Sequence, residues 1–194
     1  MDERSYGLIV EGVYDEGVYP VYMRKILQAD PLIYVRQCGG VSKLMSKLPG
    51  YLKSLEYEWN GGPVSKAIVI RDWHEADLAK AEQAMAEKVA GRSFSFPLGI
   101  QFCAVRQELE AWLLADADAI SAVAEQRGGR GVSQLEGQLE EIADPKEKLT
   151  GILSEAKLPY DPTVCAEIAG ITDLDRLRYR CPAFRIFERK VIDC

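Results

Sequence analysis

Histidine is nearly absent from this chain of 194 residues: His74 is the only one. A site built from several imidazoles is thereby excluded, and any Ser-His-Asp arrangement would have to run through that single ring. Cysteine is present but unorganised. Cys38, Cys103, Cys165, Cys181 and Cys194 are odd in number, scattered and never spaced as CxxC. A structural zinc site and a disulfide framework are both excluded on that spacing, and free thiols, mostly buried, are expected. The chain has no run of 18 apolar residues and no basic stretch followed by an apolar one at its start. Neither membrane spanning nor secretion is expected, and the cytosol is the expected compartment. Gly39-Gly40 and Gly128-Gly129-Arg130-Gly131 are glycine-rich, but neither sits in a GxxxxGK[ST] pattern, so nucleotide hydrolysis by a P-loop has no support. Internal repeats and low-complexity linkers are missing as well.

Net positive charge is also lacking. A formal charge of -6 argues against a surface that attracts nucleic acid all over, because phosphate binding leaves a basic footprint. A local footprint remains open. Arg176, Arg178, Arg180, Arg185, Arg189 and Lys190 gather positive charge near the end of the chain, whereas residues 136–147 are mainly acidic.

What is present is a globular composition. With 47% hydrophobic residues, the chain can bury a real core, most simply as one domain with an appendage. Its organising stretch is residues 66–77, KAIVIRDWHEAD. Ala67, Ile68, Val69 and Ile70 form an unbroken apolar run rich in β-branched residues, preceded by the turn-like Asn60-Gly61-Gly62-Pro63. Such a run reads as a strand buried on both faces, which belongs to a parallel sheet. Ligands of open parallel sheets sit outside the carboxyl ends of the strands, where this chain puts Asp72, His74, Glu75 and Asp77.

The same succession recurs along the chain. Residues 6–10 read as a first strand, followed by an acidic turn over residues 11–16 and a helical pattern carried by Val18, Tyr22 and Ile26, with Pro20 tolerable only in a first turn. Residues 32–35 form a second strand, closed by Gly39-Gly40, and residues 41–57 a helix bent or broken near Pro49-Gly50. Residues 75–90 make an amphipathic helix through Leu78, Ala81, Met85 and Val89, and residues 100–105 a fourth strand. Alternation of this kind implies an α/β fold with a four-stranded parallel sheet. The remainder reads as helical: one helix over residues 108–126, another beginning at Asp144-Pro145, and short ones over 164–169, 173–179 and 183–191.

Three acidic clusters follow the strands: Glu11 with Asp15 and Glu16, Asp72 with Asp77, and Glu108 with Glu110. A single surface acid in a loop is most often solvated or a helix cap. Recurrence after successive buried strands points instead to a hard divalent cation such as Mg2+, for which one or two protein carboxylates suffice. Two such ions about 4 Å apart would activate a water and stabilise the leaving oxygen in phosphodiester cleavage.

These residues carry a family resemblance. VEGVYDEG after the first strand resembles the first motif of the TOPRIM domain, a Glu followed by Gly and then an acid, and IVIRDWHEAD resembles its second, an Asp-x-Asp at the end of a later strand. More closely, RDWHEAD, QELEAWLLAD, DPKEKL and RCPAFRIF are similar to an uncharacterised TOPRIM-like family related to OLD-family and RloB proteins. The resemblance implies a TOPRIM-like, Rossmann-type parallel four-stranded sheet with helices on both faces over residues 1–126, and a helical C-terminal extension over residues 127–194 packed on it.

In function, the resemblance implies a metal-dependent nuclease of prokaryotic defence or DNA maintenance, using Mg2+ or Mn2+. It also implies nucleic acid as a partner, and a partner ATPase of AAA or OLD-like type. Glu11 matches the motif-one acid/base or metal ligand, and Asp72 the first motif-two ligand. His74 stands where a second Asp is usual, a departure that suits Mn, Fe or Zn better than Mg2+ or lowers activity. Asp77 is placed to restore the missing charge, Asp15 and Glu110 join the ligand set, and Glu108 falls nearest the metals. Lys146 is a candidate phosphate contact. The other reading is a catalytically weak TOPRIM-like subunit that binds its partner ATPase or nucleic acid without cutting.

Overall fold

The computed structural model describes residues 4–193. Four strands, β1 (Ser5–Val10), β2 (Leu32–Gln37), β3 (Lys66–Trp73) and β4 (Ile100–Arg106), form one all-parallel sheet in the order β2-β1-β3-β4. Strand pleating decides what each face receives. Tyr6, Leu8, Val10, Ile68, Ile70, Cys103 and Val105 turn to one face, and Ile9, Ala67, Val69 and Phe102 to the other. Both faces are covered, as parallel strands this apolar require.

The second face is covered by α2 (Val41–Leu55) and α3 (Leu78–Val89). Leu44, Leu48, Leu52 and Leu55 make a buried stripe on α2. The contact with β1 is close: a Cβ on Gly7 would meet Leu55 Cδ1 at 2.5 Å, so only glycine lets helix and strand approach this far. The expected break near Pro49-Gly50 does not occur, and α2 runs unbroken through both residues. Burial of the leucine stripe outweighs the hydrogen bond that Pro49 cannot donate.

The first face receives α1 (Val13–Leu27) and then the chain beyond β4: α4 (Leu109–Leu113), α5 (Ala117–Gln126), α6 (Pro145–Glu155), α7 (Pro162–Ile171), α8 (Leu174–Arg180) and α9 (Phe184–Ile192). One core runs from Tyr6 to Val191, so residues on either side of position 126 share it. Its centre is Trp112, fully buried, with ring centroids of Phe184 at 5.0 Å, Phe187 at 5.4 Å, Tyr19 at 5.8 Å and Tyr22 at 6.1 Å. The indole Nε1 donates to Glu140 Oε1 at 3.2 Å, which lets so large a ring go inside without an unsatisfied donor.

Two expected helices are drawn differently. α1 begins at Val13, so the residues read as an acidic turn supply its first turn and Pro20 lies well inside it. Val18, Tyr19, Tyr22 and Met23 are buried around Pro20, and their packing holds the helix together despite the missing donor. The helix expected over residues 108–126 is two, because Asp116 stops one and caps the next. Its Oδ1 accepts from the Asp118 N–H at 3.2 Å and its Oδ2 from the Asp173 N–H at 2.8 Å.

The basic residues near the end of the chain are mostly committed within the fold. Arg176 pairs with Asp116 and Asp118, Arg178 with Asp175 and Glu188, and Lys190 with Glu82. Arg180 is buried and donates to the carbonyls of Ala115 and Leu135. Of the six, Arg185 and Arg189 are exposed and in no such pair among the described residues. Cys38, Cys103, Cys165 and Cys181 are free and buried, and Cys194 lies outside the described residues. No helix among the described residues is long and apolar enough to cross a membrane.

Candidate functional site at the carboxyl edge of the sheet

Strand order reverses direction between β1 and β3: α1 carries the chain from β1 outward to β2, and α2 returns it past β1 to β3. A crevice opens at the carboxyl ends of strands where such a reversal occurs. Glu11 follows β1 directly and Asp72 is the penultimate residue of β3, one on each side of this point. They touch, since the Asp72 N–H donates to Glu11 Oε1 at 3.2 Å. The Glu11 carbonyl accepts from the N–H groups of Gly39 and Gly40, each at 2.9 Å, which ties the end of β1 to the glycine pair after β2. Glycine is needed there because both residues have positive φ, 75° and 109°.

β4 adds the third acid. Pairing with β3 extends one residue past the strand, Gln107 N–H donating to the Trp73 carbonyl at 2.9 Å, and Gln107 itself takes a left-handed conformation at φ 61°. This turn redirects the chain so that Glu108 stands at the start of α4 and Glu110 lies buried within its first turn. Asp15, in the first turn of α1, is buried and accepts from the Gly12 N–H at 2.8 Å.

Burial and like charge act on these carboxyl groups together. Burial pushes Asp72 well above the usual carboxylate range, and the charges of Asp15, Glu11, Glu110 and Glu108 add to it. Asp15 is raised to about 7, first by burial and then by Glu110 and Glu11, against the opposing hydrogen bond from Gly12. Burial also raises Glu11, opposed by the Asp72 hydrogen bond and by Arg71 and His74. Glu108 is raised by burial and by Glu110, with His74 and Lys146 opposing.

Around the acids is a polar wall. The Tyr160 hydroxyl hydrogen-bonds Glu110 Oε1, and the Tyr160 ring stacks on Tyr14 with centroids 4.4 Å apart at 13°. Lys146 Nζ lies 5.9 Å from the centroid of each ring. His74 is exposed, its Nδ1 3.1 Å from Gln107 Oε1. Asp77 is exposed and caps α3, accepting from the Lys80 N–H at 3.3 Å.

A divalent cation suits this donor set in kind. The ligands on offer are carboxylate and phenol oxygens together with the exposed His74 ring, and Glu108 Oε2 is buried with no hydrogen-bond partner, as is the Tyr19 hydroxyl, whose surroundings include the charges of Asp72 and Asp15. Among the described residues, however, no three His, Cys, Asp or Glu side chains already stand close enough to hold an ion. Binding one would require the carboxylates to draw inward, which their mutual repulsion opposes only until the cation arrives.

Tyr14, Tyr160, Tyr19 and Gln107 join the site without any signal in the sequence. Tyr160 is 50 positions from the glutamate it bonds, and no periodicity links the two.

Fold and site together define a parallel α/β protein with an acidic crevice at its topological switch point. A family model described as Domain of unknown function (DUF4276) matches residues 18–192, and the chain belongs to that family. The matched range takes in Asp72, Glu108, Glu110 and Lys146 and begins within α1, after Glu11 and Asp15. No curated protein and no solved structure gives a match.

Proposed function

We propose that the chain is a divalent-cation-dependent phosphodiesterase of TOPRIM-like type that cleaves nucleic acid in prokaryotic defence or DNA maintenance. The observation that carries this reading is the gathering of Glu11, Asp15, Asp72, Glu108 and Glu110 at one sheet edge, where the Asp72 N–H donates to Glu11 Oε1 and burial and like charge raise the carboxyls of Glu11, Asp15, Asp72 and Glu108. Uncompensated buried carboxylates cost stability, and such clusters are retained where a cation or a proton transfer uses them. Glu11 is the general acid/base, oriented by the Asp72 N–H. Asp72 and Glu108 are the principal ligands for Mg2+ or Mn2+, with Asp15 and Glu110 behind them. When bound, the ion would lower the pKa of a water and stabilise the leaving oxygen. Lys146, held beside the tyrosine pair and near Glu108, is the phosphate contact.

One observation favours a second reading, in which the chain is a weakly active or inactive subunit that binds an AAA-type or OLD-like ATPase or nucleic acid. His74, at the position of the second motif-two acid, is solvent-facing and engaged with Gln107, and the carboxylates do not yet form a closed ligand set. A nuclease panel separates the two. Single- and double-stranded DNA and RNA are incubated with Mg2+, Mn2+ or Zn2+, using wild type and Glu11→Gln. Cleavage by wild type and its loss in Glu11→Gln support the enzyme; no cleavage under any metal favours the subunit. Cleavage undiminished in Glu11→Gln would sink the mechanism.

A further inference from the structure

Beside the acidic crevice, a separate cavity of about 350 Å³ opens between the start of α3, the end of β4, the 3-10 turn at Leu139–Glu141 and the start of α9. Its apolar walls come from Leu78, Pro182 and Ile186. Two polar groups in it lack partners. Gln138 Oε1 is buried without a hydrogen bond, while its own Nε2 donates to the Tyr179 carbonyl at 3.4 Å. The Arg106 guanidinium is half-buried and makes no hydrogen bond or ion pair among the described residues, although its charge reaches Glu140. Glu140 also lines the cavity, but its carboxylate is already taken by the Trp112 Nε1–H and the Ala183 N–H.

These groups define the ligand by elimination. The cavity lies within the size range of small-molecule sites, towards its lower end. An anion is disfavoured because Glu140 and Glu141 stand against the one arginine. An aliphatic body would leave Gln138 Oε1 and the Arg106 guanidinium buried and unsatisfied, which costs free energy that a hydrogen-bonding ligand recovers. The complementary ligand is neutral and largely apolar, with an acceptor for Arg106 and an N–H donor for Gln138. Each of the four nucleobases, when unpaired, carries an acceptor and a donor side by side on its Watson–Crick edge.

We infer that this cavity receives an unpaired nucleobase of the substrate. The inference rests on the nucleic-acid reading above for the class of ligand, though its test needs no cleavage. Position agrees with it. Arg106 is two residues before Glu108, and Ala76, on the cavity wall, two after His74, so the cavity adjoins the sheet edge that carries the acids. An unpaired base implies a single-stranded substrate, or one opened at the site.

The test is calorimetric titration of the full chain in chelator. Adenosine, guanosine, cytidine and uridine are the probes, with ribose 5-phosphate and inorganic phosphate as controls. At least one nucleoside should bind, with affinity little changed by adding a 5′-phosphate, and the controls should not bind. Ile186→Trp, which fills the cavity, and Arg106→Met, which removes the donor, should each weaken binding about tenfold or more. Glu11→Gln should bind nucleosides as wild type does. No nucleoside binding up to the order of 1 mM overturns the inference. So does equal binding of ribose 5-phosphate, or undiminished binding in both cavity variants. If nucleosides bind while no form of the protein cleaves, the phosphodiesterase reading fails and the cavity stands. Cleavage without nucleoside binding removes the cavity alone.

Discussion

Metal-free protein should lose stability as pH rises through neutrality, and Asp15 sets the scale. Its carboxyl is raised from an ordinary 3.8 to about 7, chiefly by burial, with Glu110 and Glu11 adding like charge. Because the folded state holds this proton more tightly than the unfolded chain, the stabilisation is full below about pH 4 and is lost as pH rises through 7. Roughly three units of displacement at about 1.4 kcal/mol each amount to ~4 kcal/mol in all, and the part lost between pH 5 and pH 7 is ~2 kcal/mol. Asp72, Glu11 and Glu108 are displaced in the same direction and steepen the decline. For a chain of this length, ~2 kcal/mol corresponds to a fall in Tm of about 4 to 8 °C. Asp15→Asn keeps an oxygen for the Gly12 N–H but removes the charge, so its Tm in chelator should be higher than that of wild type at pH 8 and decline less between pH 5 and pH 8. The measurement is scanning calorimetry at fixed ionic strength. A wild-type Tm that is flat or rising over this range, or an unchanged slope in Asp15→Asn, refutes the electrostatic account of the crevice.

Three further outcomes are expected. Millimolar Mn2+ at pH 7.5 should raise the melting temperature of wild type, and Asp72→Ala should remove that gain, because the cation neutralises the repulsion that Asp72 anchors; an unchanged melting curve counts against a cation site. If the proposed phosphodiesterase reading holds, His74→Asp should move cleavage from Mn2+ dependence towards Mg2+ by supplying a hard oxygen near Glu11 and Glu108, as a metal titration of initial rates would show. Trp112→Ala should destabilise the fold by about 3 to 5 kcal/mol in denaturant unfolding, since it empties the centre of the aromatic core and leaves Glu140 without one of its donors; a loss under about 1 kcal/mol would show that the core does not depend on the ring.

The sequence by itself determined the four strands and their parallel arrangement. Ala67, Ile68, Val69 and Ile70 have no polar partner in alternation, so both faces of β3 had to be covered, and acids placed directly after such strands had to emerge at one edge. Local chemistry also marked the start of α6, where Asp144 caps the helix by accepting from the Glu147 N–H at 2.9 Å and Pro145 takes the first position. Helix interiors were less legible. Pro20 and Pro49-Gly50 are local breakers, and the packing that overrules them comes from residues distant in the chain. Asp116 reads as one more polar residue on a helix until Asp173, 57 positions later, shows why the chain turns there.

Tertiary structure alone decided which charges meet. Arg176, Arg178 and Lys190 look like a basic surface in sequence and are ion-paired in the fold, because their acids arrive from other elements or other turns. Asp77 and Asp72 look equivalent five residues apart, yet one caps an exposed helix start and the other lies part-buried beside Glu11 and feels the charges of four carboxylates. Tyr160 reaches Glu110, and Arg106 and Gln138 come to one cavity, only because the helices after β4 fold back across the sheet. Burial and through-space charge depend on distance in space, and sequence spacing encodes that distance only within a single strand or helix.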